Sequence, residues 1–372
     1  MAVSLVNTGI TFPDGSTQTT RAAQAPAFTN RIINGAMVID QRYAGASVTV
    51  NGAGVFFSID LFQAQGQSAD GVFTVQQSTT APTGFTNSLL ATVTTDDSSI
   101  GSTQYYFLTQ KIEGFNTADL GFGTASASPV TLSFWVRSSV TGTFGGSLSN
   151  DGVTRSYPFT YTISSANTWE QKSVTIAGDT TGTWLTNNGI GIRVYLNIGA
   201  GSSYTATAGA WASQWAFNAT GATNLIATNG ATFYITGVQL EKGSTATSFD
   251  YRSYGTELRL CQRYYYKMQA TGAADTFGLA FNESTTVANG VVVFPVTMRT
   301  KPTALEQSGT ATDYRVRISG SNIACSSVPS VDSSTIYNAV FNFSVASGLT
   351  ANSASSCRSA TASAYLAWSA EL

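Results

Sequence analysis

Of the residue types that do chemistry, this chain lacks histidine altogether. A Ser-His-Asp or Cys-His nucleophile is therefore impossible, and so is histidine-ligated zinc. The three cysteines, Cys261, Cys325 and Cys357, match no close metal spacing, and their odd number argues against a disulfide framework. A Cys325–Cys357 bond needs a fold that brings the two together. The pair Asp96–Asp97, in "TTDDSSIGS", is a weak calcium candidate, since calcium needs six to eight oxygens. A solvated turn is the simpler reading, and no cofactor or metal is assigned. What remains is stacking and amide chemistry. Trp184, Trp211 and Trp215 lie in loop-rich neutral segments with Asn187, Asn188, Asn218 and Asn224. Flat apolar rings beside amides suit a binding surface, although loop aromatics also cap the ends of β-sandwiches.

The elements that must position these residues are short strands. Hydrophobic content is 42% and charged content 10%, far below the roughly 25% of ordinary domains. Ser, Thr, Gly and Asn replace the missing charges, which suits short strands joined by many turns. Apolar or alternating runs predict strands over Asn30–Ile39, Phe56–Gln63, Phe73–Gln77, Tyr105–Ile112, Val130–Arg137, Gly142–Ser149, Arg155–Ile163, Glu170–Ile176, Ile190–Asn197 and Thr232–Glu241. In "VTLSFWVRS", Val130, Leu132, Phe134 and Val136 share one face, opposite Trp135 and Arg137. "TFYITGVQLE" alternates less regularly. Near-regular spacing of such runs predicts a β-sandwich.

After Tyr251 the character changes. "GTELRLCQ" reads as a helix of about two turns, with Leu258 and Cys261 on one face and the acid ahead of the bases. "RYYYKMQ", "VVVFPVTM", "DYRVRISG", "TIYNAVFNFSVA" and "SAYLAWSAEL" read as further strands, with "MRTKPTA" a turn or edge. The fold class is thus all-β: an extended N-terminal segment (1–30), a sandwich (31–250), a short helical linker, and a second β-sandwich domain within 251–372. "FPDGS" reads as a tight turn between two extended pieces. A segment of this size cannot bury its own core, so it is expected to pack on another chain or protein, a frayed terminus being the simpler reading.

Between Asp179 and Glu241 the one charged residue is Arg193, whereas eight charges crowd Gly237–Lys267. Asp250, Arg252, Glu257, Arg259 and Arg263 read as an inter-domain joint, paired as Asp250/Arg252 and Glu257/Arg259/Arg263. With a net charge of −2 and no basic cluster, nucleic-acid binding lacks its electrostatic footprint. The first residues lack a basic n-region and an apolar h-region, so a secretory signal is not expected. No apolar run is long enough for a membrane helix, and membrane insertion is not expected.

Several stretches together resemble the fibre and appendage proteins of tailed bacteriophages. "ITFPDGSTQTT" is similar to their attachment segments. "NRIINGAMVIDQR", "FWVRSS", "TWEQKSVTI", "ATGATNL" and "FYITGVQLEKGSTATSFDYR" resemble their carbohydrate-binding-module-like jelly roll. "LRLCQRYYYK" with "VTMRTKPT" resembles the C-terminal domain that comes after it. The Asp-Arg-Trp common after the first strand in such proteins is replaced by "IDLFQA"; Asp60 remains, and no site built on the other two carries over. The resemblance implies a homotrimeric virion protein, docked to tail or capsid proteins through residues 1–30, that recognises polysaccharide on a host surface. On that reading Trp184, Trp211, Trp215, Asn187 and Asn188 are the carbohydrate-binding candidates. The same family allows two other roles: a purely structural capsid or tail decoration, or a polysaccharide-degrading fibre. Degradation requires two facing carboxylates. Glu113, Glu170, Asp179 and Glu283 are available, but nothing in their spacing pairs them, so the chain is not expected to be an enzyme.

Overall fold

The computed structural model describes residues 28–372, together with the backbone of three short strands before them, Ser4–Val6, Gly9–Thr11 and Thr17–Gln18. The turn expected at "FPDGS" lies outside the described residues, as does most of the expected 1–30 segment. The strands flanking that turn pair antiparallel, Ile10 opposite Gln18.

Twelve strands then build two six-stranded antiparallel sheets. They are β1 (Val48–Val50), β2 (Gly54–Ile59), β3 (Phe62–Gly66), β4 (Val72–Ser78), β5 (Ser88–Thr95) and β6 (Tyr105–Glu113). The others are β7 (Val130–Ser138), β8 (Gly142–Ser149), β9 (Ser156–Ile163), β10 (Glu170–Ile176), β11 (Ile190–Ala200) and β12 (Thr232–Lys242). The first sheet runs β10-β7-β12-β5-β4-β1 and the second β9-β8-β11-β6-β3-β2. From β3 onward every connection except the β4–β5 and β8–β9 hairpins crosses between sheets, which is the jelly-roll habit.

Alternation places the core. Val130, Leu132, Phe134 and Val136 of β7 meet Phe144 and Leu148 of β8 and Leu108 and Ile112 of β6 between the sheets. Each such side chain contributes about 1.5–3 kcal/mol relative to exposure. In β12, Phe233 and Ile235 point inward, and so do Val238 and Leu240. The pairing of β7 shifts from Gln239 opposite Ser133 to Thr236 opposite Trp135, so two residues of β12 face one of β7. This bulge moves the alternation by one residue. Gly237, at φ 60°, supplies the left-handed conformation it needs.

The strand expected over Asn30–Ile39 is instead a buried irregular loop. Asn34 (φ 59°) and Met37 (φ 60°) are left-handed, which breaks an extended run. The Asn34 side chain takes over the backbone bonding: its Nδ2 donates to the carbonyls of Ile39 (2.8 Å) and Asp60 (3.1 Å), and its Oδ1 accepts the Ile39 amide at 2.9 Å. The expected Phe56–Gln63 strand is a hairpin, turning at Asp60–Leu61 between β2 and β3.

Helix α1 (Tyr254–Gln262) comes after the sandwich. Beyond it, Tyr265–Gln269, Tyr365–Ser369 and Glu306–Gln307 form a three-stranded sheet, and seven strands between Thr276 and Ser359 form a larger one. They enclose a separate core containing Tyr314, Phe341, Phe343 and Trp368. Cys325 and Cys357 are buried in that core as free thiols.

Candidate functional site

The residues nominated from the sequence occupy different places. Trp184 and Trp211 meet edge to face at 5.4 Å, and Phe122 packs on both, at 4.9 and 5.9 Å. Both indole N–H groups donate to backbone carbonyls, Trp184 to Thr181 (3.1 Å) and Trp211 to Ala177 (2.8 Å). The pair caps an end of the sandwich. Asn187 Oδ1 accepts the Gly189 amide at 2.9 Å, and Asn188 exchanges hydrogen bonds with Arg299 of the C-terminal part, accepting at 2.9 Å. Asp97 is buried, where it accepts the Tyr106 hydroxyl at 3.0 Å and caps the Ser99 amide at 3.2 Å; Asp96 is exposed.

The charged stretch ties the sandwich to helix α1 and the C-terminal strands. Arg252 pairs with Glu257 (3.4 Å) and, at 4.0 Å, with Asp250. It also donates to the carbonyls of Ile32 and Asn30, while Glu257 accepts the Asn34 amide. Arg263 reaches across to Glu113 at the end of β6. The Glu257/Arg259/Arg263 grouping expected from the sequence is not formed. Arg259 is exposed and has no ion pair among the described residues, because α1 turns its neighbours toward the Asn30–Ile39 loop and it toward solvent. Ile33, Ile39, Leu61, Cys261 and Tyr264 make a small apolar core at this joint.

Asp60 lies beneath the same joint, 1% exposed, and accepts Gln41 N (2.9 Å) and Gln41 Nε2 (2.5 Å). Burial pushes its pKa up to about 7; the Gln41 hydrogen bonds and Arg42 oppose this, and Glu371 adds repulsion. The unfolded chain loses this proton near pH 4, at about the ordinary aspartate value. Between about pH 4 and 7 the folded chain alone therefore holds it. The contribution of this group to stability is full below pH 4 and is lost as pH rises through 7. Asp60→Asn is expected to flatten the fall of the urea midpoint between about pH 4 and 7. An equally steep fall in the variant would assign the effect elsewhere.

The face of the second sheet turned away from the main core carries a second, smaller apolar cluster. Because Tyr106, Leu108 and Ile112 point inward, β6 presents Tyr105, Phe107, Thr109 and Lys111 outward. Pairing sets Thr109 between Gln63 of β3 and Tyr195 of β11, and Lys111 beside Arg193. Between β11 and β12 the chain folds back over this face. It lays Tyr204, Trp215 and Phe217 beside Tyr105, with centroids 5.2, 5.6 and 5.4 Å from that ring.

Beside these rings opens a pocket of about 210 Å³, lined by Gln65, Phe107, Thr109, Asp151, Val153, Arg193, Tyr195 and Trp215. Asp151 and Val153 come from the β8–β9 loop, which the Asn150 side chain fixes by accepting the amides of Thr154 (2.9 Å) and Arg155 (3.1 Å). Val153 is held at φ 47°, a left-handed conformation costly for a β-branched residue. Asp151 accepts Arg193 Nη2 at 2.8 Å. Burial raises the pKa of the Tyr195 hydroxyl, and the nearby Arg193 charge opposes that. Of the nominated residues, this pocket holds Trp215. Sequence reasoning passed over Arg193, Thr109, Gln65 and Asp151, although the isolation of Arg193 in a charge-free run was a signal.

Fold and site together define an all-β, jelly-roll protein with an aromatic-bordered pocket on one sheet face. No protein-family model and no curated protein matches the sequence. Among solved structures, the chain is similar to the enzymatically active domain of tailspike protein 4 of bacteriophage CBA120, at TM-score 0.31 and 12% identity over 57% of this chain. It spans 21% of the length of that domain. It is similar also to a family 11 carbohydrate-binding module from Clostridium thermocellum, in complex with a mixed-linked tetrasaccharide, at TM-score 0.27 and 10% identity over 55% of this chain and 100% of the module. A third is TmCBM61 in complex with a galactotriose, at TM-score 0.25 and 8% identity over 49% of this chain and 88% of that one. These likenesses are too distant for those ligands to bear on the pocket.

Proposed function

We propose that this chain is a non-catalytic, glycan-binding protein of a bacteriophage particle, and that sugar is held on the outer face of the second sheet. The observation that carries the reading is the pocket itself. Trp215 offers ring surface for sugar C–H groups, and Gln65, Thr109, Asp151 and Arg193 offer polar partners for hydroxyls. Hydrolysis of a glycosidic bond uses two carboxylates about 5–9.5 Å apart. The pocket lining supplies one, Asp151, already paired with Arg193. The virion setting rests on the sequence resemblance: residues 1–30 dock to the particle, 31–250 bear the glycan site, 251–372 form the distal part, and three chains assemble.

Titration calorimetry against bacterial surface polysaccharides tests the reading. Trp215→Ala is expected to lower affinity about tenfold or more, as loss of a central aromatic contact does. Trp184→Ala, which disturbs the sandwich cap, is expected to leave affinity within about twofold. Equal losses in both variants, or no binding by the parent, would refute the site. Sedimentation of the same samples reports the assembly, with a mass three times the 39.0 kDa chain expected.

A further inference from the structure

The pocket contains more donors than the chain can satisfy. Thr109 Oγ1, Arg193 Nε and Trp215 Nε1 are all shielded from solvent, and none completes a hydrogen bond of normal geometry within the chain; the Arg193 and Trp215 side chains both approach the one Tyr195 hydroxyl. Thr109 is 2% exposed, so no other route to water serves it. An unsatisfied buried donor is costly, and two of these three groups are donors only. Such a site is completed by an acceptor-rich ligand group that enters the pocket. Arg193 Nη2 is already engaged with Asp151, by its Oδ1 (2.8 Å) and its carbonyl (3.1 Å), which fixes the guanidinium plane while Nε, near the Tyr195 hydroxyl, lacks a bond of normal geometry.

The local charge favours an anion. Arg193 and Lys111 are register partners on adjacent strands, so two cations stand side by side on this face. Burial first, and then repulsion from Arg193, hold the Lys111 ammonium down at about 8. Lys111 is itself anchored by a backbone oxygen of Leu372 at 2.7 Å, which partly offsets its charge, so it contributes a weakened field rather than a direct contact. Against these stand Asp151, whose side chain is 40% exposed and so more strongly screened, and the buried side chain of Glu371, which acts on Lys111 from outside the pocket lining. A neutral hydroxyl would satisfy the donors one at a time. A carboxylate accepts several at once, and its hydrogen bonds to a guanidinium are about twice as strong as neutral ones.

We propose that this pocket selects an acidic sugar, a uronic or nonulosonic acid, with the carboxylate seated against Arg193 Nε, Thr109 Oγ1 and Trp215 Nε1 and the ring lying on Trp215. The inference rests on the proposed glycan-binding role. It is tested by calorimetric titration with methyl glycosides of glucuronic, galacturonic and N-acetylneuraminic acid, each beside its carboxylate methyl ester and, for the uronic acids, the parent neutral hexoside.

At least one acid is expected to bind tenfold or more tighter than its ester and, for a uronic acid, its neutral parent. That preference is expected to shrink as salt is raised and to vanish in Arg193→Gln, while Arg193→Lys keeps part of it. Circular dichroism establishes that each variant is folded. If the neutral sugars bind as tightly as the acids, with Trp215→Ala abolishing both, the glycan site stands and its acidic preference is overturned. If no sugar or surface polysaccharide binds and Trp215→Ala changes nothing, the glycan reading itself fails.

Discussion

Glu113→Ala is expected to lower the unfolding free energy by about 3–5 kcal/mol, the range for removing one partner of a buried ion pair. Glu113 is the last residue of β6 and is 2% exposed. Its two oxygens accept Arg263 Nε (2.9 Å), Arg263 Nη2 (2.6 Å) and the Tyr264 hydroxyl (2.6 Å). Alanine would strand a guanidinium and a buried phenol together. The Tyr264 hydroxyl has no second acceptor among its described bonds, and burial followed by the Glu113 hydrogen bond already drives its pKa far above the ordinary value. Urea unfolding followed by circular dichroism measures the loss. Glu113→Gln should fall between, because the amide keeps an acceptor for Tyr264 and turns a donor toward Arg263. A loss under about 1 kcal/mol for Glu113→Ala would mean that the pair behaves as an ordinary solvent-exposed one.

That pair marks where local sequence information ends. Glu113 and Arg263 are 150 residues apart, so nothing in the run "TELRLCQR" announces the partner, and the charges close by in sequence were the natural ones to group. In the structure, Glu257 turns to Arg252 and the Asn34 amide instead. Strand faces were legible because a period of two is a property of each run alone. Thus the inward set Val130, Leu132, Phe134 and Val136 was readable from nine residues. The Asn30–Ile39 run shows the converse. Its apolar content is that of a strand, but left-handed Asn34 and Met37 and an amide that replaces backbone partners fold it into a loop.

The same limit governs the site. Gln65, Thr109, Asp151, Arg193 and Trp215 come from five separate segments and meet through strand register and one loop excursion. Composition could nominate Trp215 but could not separate it from Trp184 and Trp211. All three are tryptophans in neutral loops, and the difference lies in Phe122, which packs on two of them. Arg193 was conspicuous as the lone charge between Asp179 and Glu241. A lone charge indicates a place where charge is needed, and only the neighbouring strands reveal for what.

Two glycine-to-alanine substitutions near the joint are expected to have opposite signs. Gly35→Ala should destabilise by about 3 kcal/mol, at the upper end of the cost of overpacking. A Cβ there would stand 2.1 Å from the Val238 carbonyl oxygen and 3.3 Å from Asn30 Nδ2. Neither neighbour is free to move. The Val238 carbonyl accepts Asn30 Nδ2 at 3.0 Å, its amide donates to the Gly35 carbonyl at 2.9 Å, and its side chain is in the core directly after the Gly237 bulge. The loop must therefore retreat from β12, which strains the Asn34 amide bond to Glu257 and loosens the joint as well as the sandwich. Gly255, in the first turn of α1, is exposed and its added Cβ would meet nothing. Alanine there should stabilise by up to about 1 kcal/mol through helix propensity and reduced freedom of the unfolded chain. Urea midpoints moving in opposite directions would locate the constraint in the contact between loop and strand. A Gly35→Ala midpoint unchanged from the parent would mean that the loop does not lie against β12.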